Sequence, residues 1–232
     1  MIESINSVFT PDNVMYIMRG FANTVLLAAV SIFFSIVIGT VLGIIRSYGN
    51  FFLRKLAGFY VEIFRNTPNL LWVMVCFIAA PMPGRFGRIC FAYVLFTSAM
   101  MAEIVRGGLN SIPKGQFEAA ASQGFTLAGT LWYIVIPQCF RRIIPTMMSQ
   151  VVTVIKDTSF AAQVAFGELL FNTKDLQAKL PTYTGHAVDF TEVCLLYGFA
   201  MLLYFVLNFT LSTIMRIYQR RLNAATNQRT NN

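Results

Sequence analysis

Residues 20–45 read GFANTVLLAAVSIFFSIVIGTVLGII and carry no charged side chain before Arg46. About 20 consecutive apolar residues are enough to cross a hydrocarbon core as a helix. Inside lipid the backbone must satisfy its own hydrogen bonds, so the run predicts a helix and sets the class of the chain. Composition agrees, because 56% of the 232 residues are hydrophobic and only 12% charged, against about 25% charged in ordinary soluble domains. Further apolar runs predict spans at 56–80, 89–108, 143–166 and 193–215, five in all, with Pro68 kinking the second. The predicted fold is an all-α polytopic membrane protein. A membrane domain occupies 20–217, preceded by an outer segment 1–19 and followed by a tail 218–232. Gly39 and Gly43 in the first span form a small-xxx-small pair, which permits close helix approach.

Orientation follows from the basic residues flanking the spans, since loops on the cytoplasmic side are enriched in lysine and arginine. One side collects Arg46, Arg54, Lys55, Arg106, Lys114, Arg141, Arg142, Arg216, Arg220, Arg221 and Arg229; the other has Arg19, Arg85, Arg88, Lys174 and Lys179. This places the 109–142 loop and the C-terminus in the cytoplasm and the N-terminus outside. The net charge of +8 is thereby explained by topology and by attraction to anionic lipid, and no motif supports nucleic-acid binding. The start MIESINSVFTPDN lacks the basic opening of a signal peptide, so the first span is expected to stay in the mature protein.

Other chemistries find little footing. Cys76, Cys90, Cys139 and Cys194 are scattered, without CxxC or zinc spacing, and read as packing residues. His186 reads as a solvated loop residue. The phenylalanines and the pairs Met100, Met101 and Met147, Met148 read as lipid-facing or adaptable packing. No GxxxxGK[ST] loop is present, so ATP has no site of its own on the chain.

The loop between the third and fourth spans is polar and interrupted by glycine. Glu118 to Ala121 favour helix, Gly124 allows a turn, and Leu127, Leu131 and Ile134 resume helical spacing until Pro137 stops it. Two short helices at an angle are expected, suited either to the membrane surface or to a groove on a soluble partner.

The same stretch resembles the EAA loop of permease subunits from ATP-binding-cassette importers: Glu118-Ala119-Ala120, three residues, Gly124, nine residues, then Ile134-Val135-Ile136-Pro137. The likeness extends through GFANTVLLA (20–28), YVEIFRNTP (60–68), AEIVRGGLNSIPKGQFEAA (102–120), IPQCFRRIIP (136–145) and IKDTSF (155–160), and covers about Gly20 to Glu168. In order and spacing these segments are similar to the polar amino acid uptake branch. Two places depart from the pattern: Ile136 stands where leucine usually precedes the proline, a volume-conserving change, and Asn66 and Asn69 stand where a small residue and a leucine are commoner.

The resemblance implies a type I importer permease fold and a bacterial inner-membrane location. It implies as partners a dimer of cytoplasmic ATPases that use ATP-Mg, a second permease, identical or homologous, an extracytoplasmic amino acid-binding protein, and membrane lipid. The chain would bind no cofactor itself and would not be an enzyme. Glu118, Ala119, Ala120 and Gly124 would form the docking core for the ATPase, with Lys114 and Gly115 at its edge.

Ionisable residues in spans are expensive and mark functional candidates. Glu62 with Arg65 and Glu103 with Arg106 are spaced for local ion pairs. Lys156, Asp157, Thr158 and Ser159 offer the donors and acceptors that a zwitterion needs. These residues are the candidates for a substrate path or gate. Two rival classes are weaker: a secondary transporter or channel would be expected to show paired repeats, and a membrane-embedded enzyme would need clustered histidines or acids.

Overall fold

The computed structural model describes residues 2–230, with side chains described for 4–220; Arg221, Arg229 and most of the expected tail fall outside those side chains. Among the described residues every regular element is helical: α1 Ile2–Val8, α2 Pro11–Tyr48, α3 Phe51–Arg65, α4 Asn69–Ala79, α5 Gly84–Asn110, α6 Lys114–Ser122, α7 Leu127–Thr130, α8 Ile136–Asp157, α9 Leu169–Thr184 and α10 Phe190–Thr230. A π-helical turn, Leu131–Val135, joins α7 to α8, and a 3₁₀ segment, Thr158–Val164, follows α8. By length and composition α2, α5 and the Phe190–Arg220 part of α10 can each cross a membrane, and α4 is a shorter apolar helix. The chain is an all-α, multi-pass membrane protein.

Several expected boundaries differ. Helix α2 starts within the expected outer segment, at Pro11, a residue whose fixed φ suits a first helical position. The Thr10 hydroxyl oxygen accepts the Asn13 N–H at 3.2 Å. The second expected span is two helices, not one kinked helix. Helix α3 is capped at Asn66 and α4 starts at Asn69, because Pro68 disfavours helical geometry at Thr67 and cannot donate to the preceding turn. The fourth expected span, 143–166, is only partly one α-helix: α8 begins earlier, at Ile136, passes through Pro145 and ends at Asp157, and the rest of the span is the 3₁₀ segment Thr158–Val164 and the residues after it. Arg141, Arg142 and other polar residues of α8 share the helix with a buried stripe, so a count of apolar residues misses its first turns. The stretch between the last two expected spans, read as a polar loop, holds α9.

The chain divides into two compact units, Met1–Val30 with Val73–Cys90 and Val152–Asn232, and Ser31–Trp72 with Phe91–Val151. The core of the first gathers Val8, Ile17, Leu169, Leu176, Leu180 and Leu196, with Phe9 edge-on to Phe199 at 5.4 Å. The core of the second gathers Met101, Val105, Leu109, Val135, Cys139 and Ile143. Here the Gly39 and Gly43 pair earns its spacing. A methyl carbon added at Gly39 would lie 2.4 Å from the Met101 Cβ, and one at Gly43 2.8 Å from the Val105 Cβ, so α2 approaches α5 more closely than any side chain allows. Many large apolar side chains, among them Phe33, Ile78 and Phe205, are exposed, as expected where the outer surface meets lipid.

Candidate functional site

Helix α6 has two faces. Ala120 is buried and Phe117 half-buried, whereas Lys114, Gly115, Glu118 and Ala119 are exposed, as positions three and four apart require on one helical face. Phe117 packs in the second unit's core, its ring 6.0 Å from that of Tyr48. Gln138 Nε2 donates to Gln116 Oε1 at 3.1 Å, and Arg142 Nη1 donates to the Ser111 carbonyl at 2.6 Å. The helix is thus fastened along one side and open along the other. Of the expected docking residues, Ala120 belongs to the fastened side.

The end of α6 is a Schellman turn. Phe125 N–H donates to the Ala120 carbonyl and Gly124 N–H to the Ala121 carbonyl, both at 3.0 Å, the pair of bonds that defines the motif. Gly124 takes φ +81°, a left-handed geometry that costs a glycine nothing. Thr126 then caps α7, its hydroxyl oxygen accepting Gly129 N–H at 3.2 Å.

Pro137 does not stop the chain, contrary to the sequence reading. A proline inside a helix lacks its N–H and crowds the carbonyl four residues earlier, here Tyr133. The wider π turn lies directly upstream, with Ile136 N–H donating to the Leu131 carbonyl, and the helix continues as α8 with Pro137 in its first turn. This shift turns Val135 and Cys139 into the core and leaves Trp132 and Tyr133 exposed. Burial pushes the Cys139 thiol up to about 11.

A second constellation centres on Glu103 of α5. Arg46 from the end of α2 pairs with it, Arg65 from the end of α3 lies at 3.2 Å, and Arg106 donates to both carboxylate oxygens at 3.0 and 2.9 Å. The expected Glu103–Arg106 pair is present. The expected Glu62–Arg65 pair gives way to Arg65–Glu103, because Glu62 is exposed and attraction is stronger at the less hydrated Glu103. Three cations therefore hold three helix segments on one acid.

The remaining candidates lie in the first unit. Lys156 is exposed and lines a cavity of about 350 Å³ with Val152, Tyr204, Asn208 and Ser212. Asp157 closes α8. Thr158 is buried and donates its hydroxyl to the Ile155 carbonyl at 2.7 Å, and Ser159 donates to the Lys156 carbonyl at 2.8 Å. Both hydroxyl protons are spent on the helix end.

Sequence reasoning missed Glu168. It is fully buried and caps α9, accepting Leu170 N–H at 2.9 Å, Phe171 N–H at 2.7 Å and the Tyr204 hydroxyl at 3.1 Å. Around it Asn23 donates to the Gly167 carbonyl at 2.7 Å, Leu169 N–H donates to the Thr24 hydroxyl oxygen at 3.1 Å and Asn172 donates to the Tyr16 carbonyl at 2.8 Å. The polar residues in GFANT thus anchor a helix start. The one hint was a lone acid directly before an apolar helical run, where an N-cap belongs. His186, read as a solvated loop residue, is exposed, with Nε2 4.0 Å from the buried Glu192.

In comparisons with known proteins, the profile of the family described as binding-protein-dependent transport system inner membrane component matches residues 35–224. The chain belongs to this family. Its relatives include the probable glutamine ABC transporter permease protein GlnP of Bacillus subtilis, 35% identical over 212 residues and covering 90% of this chain and 94% of the relative. The glutamate/aspartate import permease protein GltJ of Escherichia coli K12 is 29% identical over 202 residues, covering 78% and 80%. Among solved structures, the crystal structure of an amino acid ABC transporter with histidines superposes with a TM-score of 0.78 at 24% identity, covering 90% of this chain and 95% of that one. An inward-facing MetNI methionine ABC transporter gives 0.67 at 18%, covering 90% and 99%. At these identities the structures speak for the fold. The chain is a permease subunit of an ATP-binding-cassette importer, and the secondary-transporter or channel reading gives way to it.

Proposed function

We propose that this permease, paired with a second identical or homologous copy, forms the path of a polar amino acid across a bacterial inner membrane. Its N-terminus lies outside and its C-terminus in the cytoplasm, as the distribution of basic residues argues. A dimer of cytoplasmic ATPases carries the ATP-Mg and grips the exposed side of α6 and its turn, with Lys114 and Gly115 at the edge and Glu118, Ala119 and Gly124 in the middle. Ala120 serves from beneath, by letting α6 sit close on the core. An external amino acid-binding protein delivers the cargo. The observation that carries this reading is a helix bound by one face into the core of its unit and bare on the other. Such a lever transmits force to α5 and α8 without bending. The names of the relatives, glutamine and glutamate/aspartate permeases, support a polar amino acid as cargo.

The test is uptake into vesicles holding this chain, its cognate ATPase and its binding protein, with glutamine, glutamate, histidine and arginine compared. Uptake of one of them should require ATP hydrolysis. Transport at full rate without the ATPase overturns the reading. Lys156, Asp157, Thr158 and Ser159, and separately Glu62, Arg65 and Glu103, are proposed to line the path or its gate. Unchanged uptake kinetics after neutral replacement of both Lys156 and Asp157 would remove the first group.

A further inference from the structure

In the first unit, the cavity of about 350 Å³ beside Lys156 has two walls. Lys156 stands on the wall from α8, and Tyr204, Asn208 and Ser212 form a stripe along α10 with Phe205 and Phe209 beside it, since residues four apart share one side of a helix. Lys156 is the one charged residue on the lining. Among the described residues the ion pairs are those of Arg46, Arg65, Arg106, Lys179 and His186, and Lys156 is in none of them.

The opposite wall holds an acceptor without a donor. Asn208 gives Nδ2 to the Tyr204 carbonyl at 2.8 Å, while its Oδ1 is shielded from water and accepts no hydrogen bond, which costs about 1–3 kcal/mol for a buried group. Ser212 adds a hydroxyl one turn further on. The Tyr204 hydroxyl is committed elsewhere, donating to Glu168 at 3.1 Å, so its ring is held as a wall. Phe205 and Phe209 stack with centroids 5.4 Å apart and make the rest of the surface apolar.

We propose, resting on the reading that Lys156 lines the path, that this cavity holds the cargo by the end common to all α-amino acids. The carboxylate meets Lys156, and the ammonium meets Asn208 Oδ1 and the Ser212 hydroxyl oxygen. Asn208 turns its amide toward the cavity to do so, giving up a bond to a carbonyl that the helix already satisfies. Charge decides the class of ligand. A simple cation would leave Lys156 unpaired, a simple anion would leave Asn208 Oδ1 without a donor, and a zwitterion satisfies both. The cargo's side chain lies against Phe205 and Phe209, where no charged group distinguishes one from another, so the site accepts α-amino acids with different side chains. A volume of about 350 Å³ is at the small end of ligand pockets, roughly 300–1,000 Å³, and suits one amino acid better than a two-tailed lipid.

Val152, on the α8 wall one turn before Lys156, offers a reporter that touches neither charged end. The full chain carrying Val152→Cys, assembled in detergent with its cognate ATPase and without the binding protein, would be treated with N-ethylmaleimide and labelling at position 152 read by peptide mass. L-glutamine and L-arginine at about 10 mM, tenfold above a Kd of about 1 mM, should each slow that labelling about tenfold. L-glutamine methyl ester, which lacks the carboxylate, and N-acetyl-L-glutamine, which lacks the ammonium, should not. Lys156→Gln should abolish the protection and Lys156→Arg should keep it. Labelling unchanged by both amino acids, or protection that survives the methyl ester or Lys156→Gln, overturns the proposal. Labelling slowed by added phosphatidylethanolamine and not by amino acids would assign the cavity to a lipid headgroup and equally overturn it. Vesicle uptake keeps the two readings apart: where protection fails while ATP-driven uptake persists, this site alone is lost, whereas uptake that needs no ATPase removes the permease reading beneath it.

Discussion

Gly124→Arg separates folding from docking more cleanly than other substitutions in the loop. A Cβ built at Gly124 meets no atom within 4 Å, so no neighbour resists a side chain there. What remains is the left-handed backbone at φ +81°, which costs an ordinary L-residue about 1–2 kcal/mol. For a chain of this size about 1 kcal/mol lowers a melting midpoint by about 2–4 °C, so Gly124→Arg should melt within roughly 8 °C of the parent in detergent. Docking should suffer far more. If Gly124 lies at the centre of the partner's contact, a charged side chain there removes at least about 2 kcal/mol, the size of an interface hot spot, or on the order of 30-fold in affinity. ATP-driven uptake should fall at least about tenfold. Gly124→Asn is the control, since asparagine tolerates the left-handed region and should keep both stability and transport. Wild-type uptake by Gly124→Arg would refute the docking argument. Equal loss in Gly124→Asn would mean that the turn itself, not the space outside it, is what matters.

Three further outcomes test the packing. Glu103→Gln leaves Arg46, Arg65 and Arg106 without their shared acid and should destabilise the permease by about 3 kcal/mol, reduced by the partial exposure of Arg65; a melting midpoint unchanged by the substitution would count against the cluster as a structural tie. Gly39→Ala should lower thermal stability by about 1–3 kcal/mol, because the added carbon would sit 2.4 Å from the Met101 Cβ. Gly107→Ala, where nothing lies within 4 Å, should raise it by about 0.5–1 kcal/mol through helix propensity; the same sign in both would undo the close-contact account of α2 and α5. Cys139, buried and with its thiol pushed up to about 11, should resist alkylation at pH 8 in the folded protein and react once the protein is unfolded in denaturant. As the unfolded thiol ionises near pH 8.5, the folded state should lose stability between there and about pH 11; rapid labelling of Cys139 in the native protein would place the π turn and α8 differently.

The apolar run from Gly20 to Ile45 was decisive without coordinates, because lipid leaves the backbone few choices and an uncharged run of that length admits only a helix. The turn at Gly124 and the Glu103–Arg106 pair were equally legible. Both depend on residues a few positions apart, where the chain's own geometry brings partners together. The break at Asn66–Pro68 was half legible: proline announced a disturbance, and whether it bends a helix or ends one depends on how the released backbone groups are satisfied. Other features had no local signature. Arg46 and Arg65 reach Glu103 only because α2 and α3 end beside α5, and Glu168 looks like any acid until Tyr204 and Thr24 arrive from distant segments. Ala119 and Ala120 are identical residues in the sequence, and only the core beneath α6 turns one inward and leaves the other bare. Short-range geometry is written in neighbouring residues. Pairings across the fold arise when burial strips water from charges and hydroxyls, and that environment exists only once the helices have packed.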